Sequence, residues 1–290
     1  SRVLGDVYKR QILPFILLVI ASFTDNQTAL VNGYSFTPEK WSLEAYQYIA
    51  SEWATIGRAY LMTILVTVIG TALSLVITST FAFAVSNDKL PGHKILMFLC
   101  IFTMLFNGGL VASYYVYSNI FHIKNTIWAL IVPTFLMSPF NVVLVKNYFS
   151  NSISPSILEA ARMDGAGVFA VFTKIVMPLS VPIMATVGLM TAIGYWNDWT
   201  NGLYYLTENG GSQYYTIQLV LNRINENINF LANNSDVAAK AAQQLPSTTM
   251  RMAIAVIGIL PIMCAYPFFQ KYFVKGITPV SYTHLTLPTI

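Results

Sequence analysis

Aromatic and amide side chains cluster in two short stretches of the sequence. They are Asn107, Gly108, Gly109 and Tyr114 in the first stretch, and Tyr195, Trp196, Asn197 and Trp199 in the second. Aromatic faces combined with amide hydrogen-bonding groups bind sugar rings well, so these residues are candidates for a solute pathway. The two glycines would allow a backbone or a ligand to approach closely, or a helix to break. The alternative is an aromatic belt at the outer interface of a membrane.

Residues suited to catalysis are not arranged in a known pattern. The sequence has no Gly-x-x-x-x-Gly-Lys-Ser/Thr motif, so the chain cannot cradle ATP itself. His93, His122 and His284 are scattered, and no grouping of His, Ser and carboxylate suggests a reaction. We therefore expect no enzymatic activity, no bound cofactor and no metal. The lysines and arginines form no basic stripe, so we also expect no nucleic-acid partner.

The composition indicates that a bilayer surrounds most of the chain. Of its 290 residues, 55% are hydrophobic and 10% are charged, whereas a soluble domain carries about a quarter charged residues. Six apolar runs, the first short and the others of spanning length, predict transmembrane helices: 12–21, 60–85, 95–117, 126–145, 175–195 and 252–269. None has an ionisable residue in its interior, and a membrane tolerates the prolines within them. We therefore predict an all-α integral membrane protein.

The distribution of lysine and arginine predicts the orientation of these spans. Most basic residues collect on the side that holds both termini and the 146–174 loop, which we therefore place in the cytoplasm. Segments 24–59 and 198–250 would then be external.

The two ends of the sequence differ in character from the rest. Residues 1–11 are expected to be a truncated or non-native N-terminus, and residues 276–290 a non-native tail. Between them we expect a first transmembrane helix with its external segment over 12–59. A domain of five helices would follow over 60–275 and would contain a distinctive loop at 154–178.

The first half of this cytoplasmic loop has the pattern of a helix start. Pro155 suits a first helical position, and Ser156 with Glu159 has the spacing of a capping box. An ordinary amphipathic connector, in which Glu159 is only a cap, would show the same pattern.

Small residues continue the loop after Glu159. Ala160 and Ala161 would let another backbone approach this face closely. Gly165 and Gly167 permit positive φ angles, so they are predicted to end the first helix of the loop.

This loop resembles the EAA loop of ABC importer permeases. The family pattern is Glu-Ala-Ala, three residues, Gly, nine residues, Ile, any residue and Leu-Pro. The chain matches it with Glu159, Ala160, Ala161, Gly165, Ile175 and Pro178, with Met177 in place of Leu. The resemblance implies that the loop is a coupling helix seated in a groove of the ATPase subunit. The coupling residues would be Glu159, Ala160, Ala161, Asp164 and Gly165.

Other stretches resemble the sugar-uptake branch of the same family. Residues 106–114 are similar to a Phe-Ser-Gly-Gly-Leu-Ile-Pro-Thr-Tyr pattern of permeases for complex or plant-derived oligosaccharides. Residues 196–199 resemble a Trp-Asn-x-Trp signature that follows the fifth span. The resemblance implies the type I ABC importer permease fold with six transmembrane helices.

The family resemblance also implies a transporter of several subunits. This chain would pair with a second permease subunit, an ABC ATPase dimer that uses ATP and Mg, and an extracellular or periplasmic solute-binding protein. It would form half of the translocation pathway for a sugar or oligosaccharide, as a multi-pass protein of the bacterial plasma (inner) membrane. The alternatives are a permease of the same class for a non-sugar solute and an ion-coupled secondary transporter. The latter usually keeps an ionisable residue within its spans.

Overall fold

Helices account for nearly all of the regular structure. The computed structural model describes residues 2–233 and 247–277. Within those residues, the only strand-like feature is an isolated antiparallel bridge between Thr24 and Trp41. The prediction of an all-α protein is therefore confirmed for the described part of the chain.

The helices differ widely in length. In chain order they are α1 (Arg2–Ser22), α2 (Asn26–Asn32), α3 (Glu44–Ser51), α4 (Trp53–Ser86), α5 (His93–Leu105), α6 (Gly109–Tyr115), α7 (Trp128–Ile131), α8 (Pro139–Ser152), α9 (Pro155–Met163), α10 (Val168–Val171), α11 (Met177–Leu179), α12 (Val181–Asn197), α13 (Thr200–Tyr205), α14 (Glu208–Gly211), α15 (Ile217–Asn233) and α16 (Ser247–Ile277). A π-helical turn, Val116–Ile120, extends α6, and another, Phe172–Val176, joins α10 to α11. A 3-10 turn, Ser212–Tyr214, follows α14.

The chain divides into two compact units. The first comprises the described residues up to Leu65 together with Asn197–Cys264. The second comprises Val66–Trp196 and the described residues from Ala265 onward. Helix α4 therefore gives its N-terminal part to the first unit and its remainder to the second.

Helix α4 covers the second predicted span. Among the described residues, it is the one helix that is long and apolar enough to cross a membrane by itself. It begins at Trp53, earlier than the predicted start at Tyr60, and has 34 residues. At about 1.5 Å per residue it is longer than the thickness of a hydrocarbon core, which is about 30 Å.

Two further predicted spans are helix pairs with a sharp bend. In the third span, α5 and the extended α6 are bent by 120° across residues 106–108. In the fifth, the α10–α11 segment and α12 are bent by 79° at Ser180. Pro182 accounts for the second bend, because it lacks the N–H that would bond to the carbonyl of Pro178 and its ring crowds that carbonyl.

The prediction of a continuous fourth span over 126–145 is wrong. Helix α7 ends at Ile131, and α8 begins only at Pro139. Thr134, between them, has a φ angle of +69°, which no helix contains. An apolar run shows that a segment avoids water, but it does not show that the backbone stays helical.

The count of six spans is not confirmed by the described residues. One helix qualifies alone, and up to three spans result if each bent pair is one crossing. Two shorter apolar helices, Ile12–Ser22 and Thr249–Cys264, coincide with the first and last predicted runs.

The first unit has a core built from α3, α4, α15 and α16. Its largest fully buried side chains include Ile56, Ile217 and Met250. The hydroxyl of Thr63 accepts a hydrogen bond from the N–H of Ile217 at 2.8 Å, at the start of α15. The contact satisfies one of the N–H groups that a helix start leaves without an intrahelical partner.

The second unit has a core of its own. It contains Ala82, Val85, Cys100, Val142, Val145, Phe149, Ile153, Val171, Val176, Met184 and Val187. One buried hydroxyl of this unit bonds to another segment of the chain: Ser74 Oγ donates to the carbonyl of Phe135 at 3.1 Å. Such pairing is needed where no water can serve as a partner.

Candidate coupling loop and solute groove

Helix α9 begins where the sequence predicts, but it is capped differently. Pro155 lies in its first turn, and Ser154 is the N-cap residue. The predicted capping box of Ser156 and Glu159 is wrong, because Ser156 lies inside the helix. The side chain of the N-cap residue Ser154 makes no capping hydrogen bond to a backbone N–H of α9. Instead, the hydroxyls of Ser154 and Ser156 bond to each other at 2.7 Å. The side chain of Glu159 is exposed and makes no hydrogen bond or ion pair among the described residues, so it does not hold α9 in place.

The end of α9 is a Schellman turn at Gly165. The N–H of Gly165 donates to the Arg162 carbonyl, and the N–H of Ala166 donates to the Ala161 carbonyl, both at 3.0 Å. Gly165 has a φ angle of +78°, as predicted, and a Cβ there would meet nothing within 4 Å. A side chain at Gly165 is therefore disfavoured by backbone strain alone. The same prediction for Gly167 is wrong: its φ angle is −68°, and it caps the start of α10.

Helix α9 has an inner and an outer face. Leu158 and Ala161 pack against the core of the second unit, and no residue of α9 is fully buried. Of the predicted coupling residues, Glu159, Ala160, Asp164 and Gly165 are exposed, whereas Ala161 is half-buried. Ala161 thus fixes the helix to its own unit rather than forming its outer surface.

Two large apolar side chains near these positions are mostly exposed. Met163 is 88% exposed and Phe169 is 78% exposed. Phe169 belongs to α10, which is part of the bent fifth span, whereas Met163 ends α9 in the polar loop before it. The exposure of Met163 is typical of a surface that a partner protein covers.

A cavity of about 270 Å³ lies next to α9. Leu158, Glu159 and Arg162 line one side, and residues 87–89 of the loop between α4 and α5 line another. Sequence reasoning did not include Asn87, Asp88 and Lys89 in the site. The polar turn directly after an apolar span was the available signal.

The first candidate solute stretch forms the break between α5 and α6. Gly109 has a φ angle of +81°, and its N–H donates to Asn107 Oδ1 at 2.9 Å. Asn107, Gly108 and Gly109 are all exposed. The glycines therefore allow a helix break, one of the two roles predicted for them. Farther along, Lys124 Nζ donates to the hydroxyl of Tyr114 at 2.7 Å.

The second candidate stretch is split between different environments. Tyr195 is 1% exposed, and its hydroxyl donates to the Ile131 carbonyl at 2.8 Å. Trp196 is also buried. Both side chains therefore pack within the second unit, a role that their aromatic type alone did not reveal. Asn197 and Trp199 are exposed in the first unit.

Asn197 and Trp199 line a groove of about 460 Å³, here called the amide groove. Its polar residues are Asn197, Gln218, Asn222, Asn225 and Arg251, and its other residues are Trp199, Leu221, Ile254, Ala255, Gly258 and Ile259. Gln218 Nε2 donates to Asn197 Oδ1 at 3.4 Å, which links α15 to the end of α12. Sequence reasoning missed Gln218 and Arg251 as site residues. The asparagines spaced along α15 were the signal that one of its faces is polar.

Asp198 fixes the backbone beside the amide groove. Its Oδ1 accepts hydrogen bonds from the N–H groups of Thr200 and Asn201, and its Oδ2 accepts one from Asn201 Nδ2 at 2.7 Å. Burial raises the pKa of the Asp198 carboxyl, while the hydrogen bonds from Asn201 and Thr200 act in the opposite direction. The Asp198 side chain therefore stabilises this turn, and it does not line the groove.

Metal ligation has no candidate residues in the described part of the chain. No three His, Cys, Asp or Glu side chains there are grouped closely enough to hold an ion. That the chain binds no cofactor stays a prediction.

Broken helices, an exposed EAA-type helix and a polar groove together define a class of membrane transport protein. The family of binding-protein-dependent transport system inner membrane components matches residues 68–279. The chain belongs to this family, and it is therefore a permease subunit of an ABC importer.

Two relatives and one solved structure are similar to this chain over nearly all of its length. The polygalacturonan/rhamnogalacturonan transport system permease protein YtcP of Bacillus subtilis (strain 168) is 36% identical over 91% of this chain and 90% of its own length. Protein LplC of the same organism is 35% identical over 94% and 90%, respectively. A crystal structure of a bacterial ABC transporter involved in the import of the acidic polysaccharide alginate contains a chain with a TM-score of 0.79. That chain is 28% identical, and the match covers 93% of this chain and 94% of that one.

Proposed function

We propose that this chain forms half of the translocation pathway of a binding-protein-dependent importer for a sugar or oligosaccharide, and that α9 couples it to the ATPase. The chain itself has no nucleotide-binding motif, so ATP and Mg would be used by an ABC ATPase dimer. A second permease subunit and an external solute-binding protein would complete the assembly. We further propose six crossings of the bacterial inner membrane, several of them broken, with both termini in the cytoplasm.

The outer face of α9 is the observation that carries the coupling proposal. It presents Glu159 and Ala160 beside the bare side chain of Met163, while Leu158 and Ala161 anchor the helix to the core. A short helix that packs against the core on one face and is exposed on the other can transmit a displacement by a partner protein to the core. The Schellman turn at Gly165 fixes the end of this helix.

The solute proposal rests on the amide groove and on the names of the relatives. Amide groups hydrogen-bond to sugar hydroxyls, and the indole of Trp199 offers a flat face for a sugar ring. The relatives' names refer to polysaccharides.

The coupling proposal is tested with Gly165→Asp in the complete transporter, purified and reconstituted into liposomes. We expect normal membrane insertion but loss of solute-stimulated ATP hydrolysis, because the strained turn displaces the surface that meets the ATPase. A larger residue at positive φ costs about 1 kcal/mol or more. Glu159→Ala should weaken ATPase co-purification without lowering the melting temperature, since Glu159 makes no contact that stabilises α9 among the described residues.

Gly92→Asp is the matched control. Gly92 has a φ angle of +85°, and a Cβ there would also meet nothing within 4 Å. It belongs to the loop before α5, outside the EAA-type segment. Gly92→Asp should therefore carry a similar backbone strain and retain ATPase stimulation. Full assembly and normal stimulation in Gly165→Asp would show that α9 is not the coupling element.

A further inference from the structure

Arg251 has an unusual environment at the start of α16. Its Nη2 donates to Asn229 Oδ1 at 2.7 Å, but its Nε–H is buried without a hydrogen-bond acceptor. In the part of the chain that the structure describes, no Asp or Glu oxygen lies within 4.0 Å of its guanidinium. Arg251 is therefore a cation whose charge is not neutralised by a carboxylate of the described residues.

Arg223 in α15 provides the contrast. Its Nη1 donates to Glu208 Oε1 at 3.0 Å, and its guanidinium lies 4.4 Å from the centre of the Tyr215 ring. Arg223 is thus satisfied within its own unit. One arginine of this unit has a carboxylate partner and the other has none among the described residues. The lack of a carboxylate partner is therefore a property of the position of Arg251.

The position of Arg251 also lacks a structural explanation. It is the fifth residue of the 31-residue helix α16, towards the end of the helix where the dipole does not favour a cation. The buried Nε–H without an acceptor is a cost to the folded chain. A bound anion would neutralise the charge of the guanidinium.

The groove around Arg251 offers the rest of a binding site. None of the residues that line it is acidic, although Glu226 accepts a hydrogen bond from the lining residue Asn222 and Asp198 lies beside the groove. Asn225 lines the groove, and its side chain makes no hydrogen bond among the described residues. Trp199 is 39% exposed at its edge. Below them, a Cβ on Gly258 would be 3.2 Å from Leu221, so α16 and α15 pack closely at the floor.

We propose that the amide groove is a subsite for an acidic saccharide, with Arg251 paired to a carboxylate on a sugar ring. A carboxylate pairs its charge with the planar guanidinium through charge-assisted hydrogen bonds from the Nη groups, whereas a neutral hydroxyl leaves that charge unpaired. Trp199 and the amides contact the ring and its hydroxyls. This proposal rests on the proposed function, because it assigns a chemical class of solute to that pathway.

The test uses the complete transporter in liposomes, with tetragalacturonic acid and its methyl ester as probes. The two have the same rings and linkages, and only the first carries carboxylates. We expect Arg251→Gln to lower uptake of the acid by about tenfold or more, as for a lost charge-assisted hydrogen bond, and uptake of the ester by less than about twofold. Arg251→Lys should restore only part of the uptake, since a lysine lacks the planar fork.

Two further variants separate a solute contact from other roles. Trp199→Ala should lower uptake of the acid and the ester alike, because ring contact does not depend on charge. Arg223→Gln removes the same charge at a position that does not line the groove, and it should leave the ratio of acid to ester uptake unchanged.

The results that would refute the subsite differ from those that would refute the proposed function. If Arg251→Gln lowers uptake of both probes equally, Arg251 meets a carboxylate of a partner protein or serves folding, and the subsite is refuted while the importer stands. If the wild type imports the ester but not the acid, the acidic class is wrong and the proposed function stands. If it imports neither probe but takes up a solute that is not a saccharide, both proposals fall.

Discussion

The ring of Tyr195 fills the space that a side chain on Gly70 would need. A Cβ on Gly70 would lie 2.6 Å from Tyr195 Cζ, closer than real Cβ contacts come. The ring is also held by its hydroxyl bond to the Ile131 carbonyl at 2.8 Å and lies 5.2 Å from the Phe135 ring. This contact joins α4 to α12 within the second unit and removes Tyr195 from any solute surface.

Gly70→Ala should therefore destabilise the protein. Overpacking of a filled core costs about 1–3 kcal/mol, so the melting temperature in detergent should fall measurably. Gly57→Ala in the same helix is the control, because its Cβ would be 3.5 Å from Trp53 Nε1, an ordinary contact. Equal melting temperatures for the two variants would contradict the packing described here.

Thr63→Val tests the contact between α4 and the start of α15. Valine keeps the shape of threonine but leaves the buried N–H of Ile217 without its acceptor, which costs about 1–3 kcal/mol. Thermal unfolding monitored by tryptophan fluorescence should show the loss. Thr80→Val makes the same change on an exposed face of α4, where the hydroxyl only bonds to its own helix. Equal melting temperatures for Thr63→Val and Thr80→Val would show that the Thr63–Ile217 hydrogen bond contributes little to stability.

Asp25 should make stability depend on acid pH. Burial opposes ionisation of Asp25, but the N–H of Thr28 and the ammonium of Lys40, 3.3 Å away, outweigh it and lower the pKa of the carboxyl. A lowered folded-state pKa means that stabilisation is complete above the unfolded-state pKa of about 4 and is lost as the pH falls through the folded-state value.

Asp25→Asn isolates that charge. Asparagine is also a good N-cap, so α2 keeps its cap while the titrating group is removed. The melting temperature of the variant should fall less steeply than that of the wild type between pH 5 and more acidic values, which is about where an aspartate titrates. Identical acid profiles would show that Asp25 does not contribute.

Topology can be tested by labelling single cysteines in intact cells, with Cys100 and Cys264 replaced. A cysteine at Asn209, which is exposed in the segment predicted to be external, should react with an impermeant thiol reagent. A cysteine at Met163, which is 88% exposed on α9, should react only after the cells are permeabilised. The reverse pattern would overturn both the orientation and the docking of the ATPase to α9.

The sequence alone determined the local features of this protein. The apolar character of α4, the start of α9 at Pro155 and the positive φ angle of Gly165 were all predicted from short stretches. These features depend on backbone sterics and hydropathy, which act over a few neighbouring residues. The EAA-type loop indicated the family because its motif is also local, with fixed spacing within one short stretch.

Only the tertiary structure decided which side chains are buried and which are available. Tyr195 looked like a solute ligand by type, yet it packs against Gly70 from a distant part of the chain. Arg251 lines a groove with Asn197 and Trp199, which come from a distant part of the chain. Such outcomes depend on which helices meet and on where each apolar run bends. Residues far apart in sequence settle these contacts, so no local pattern contains them.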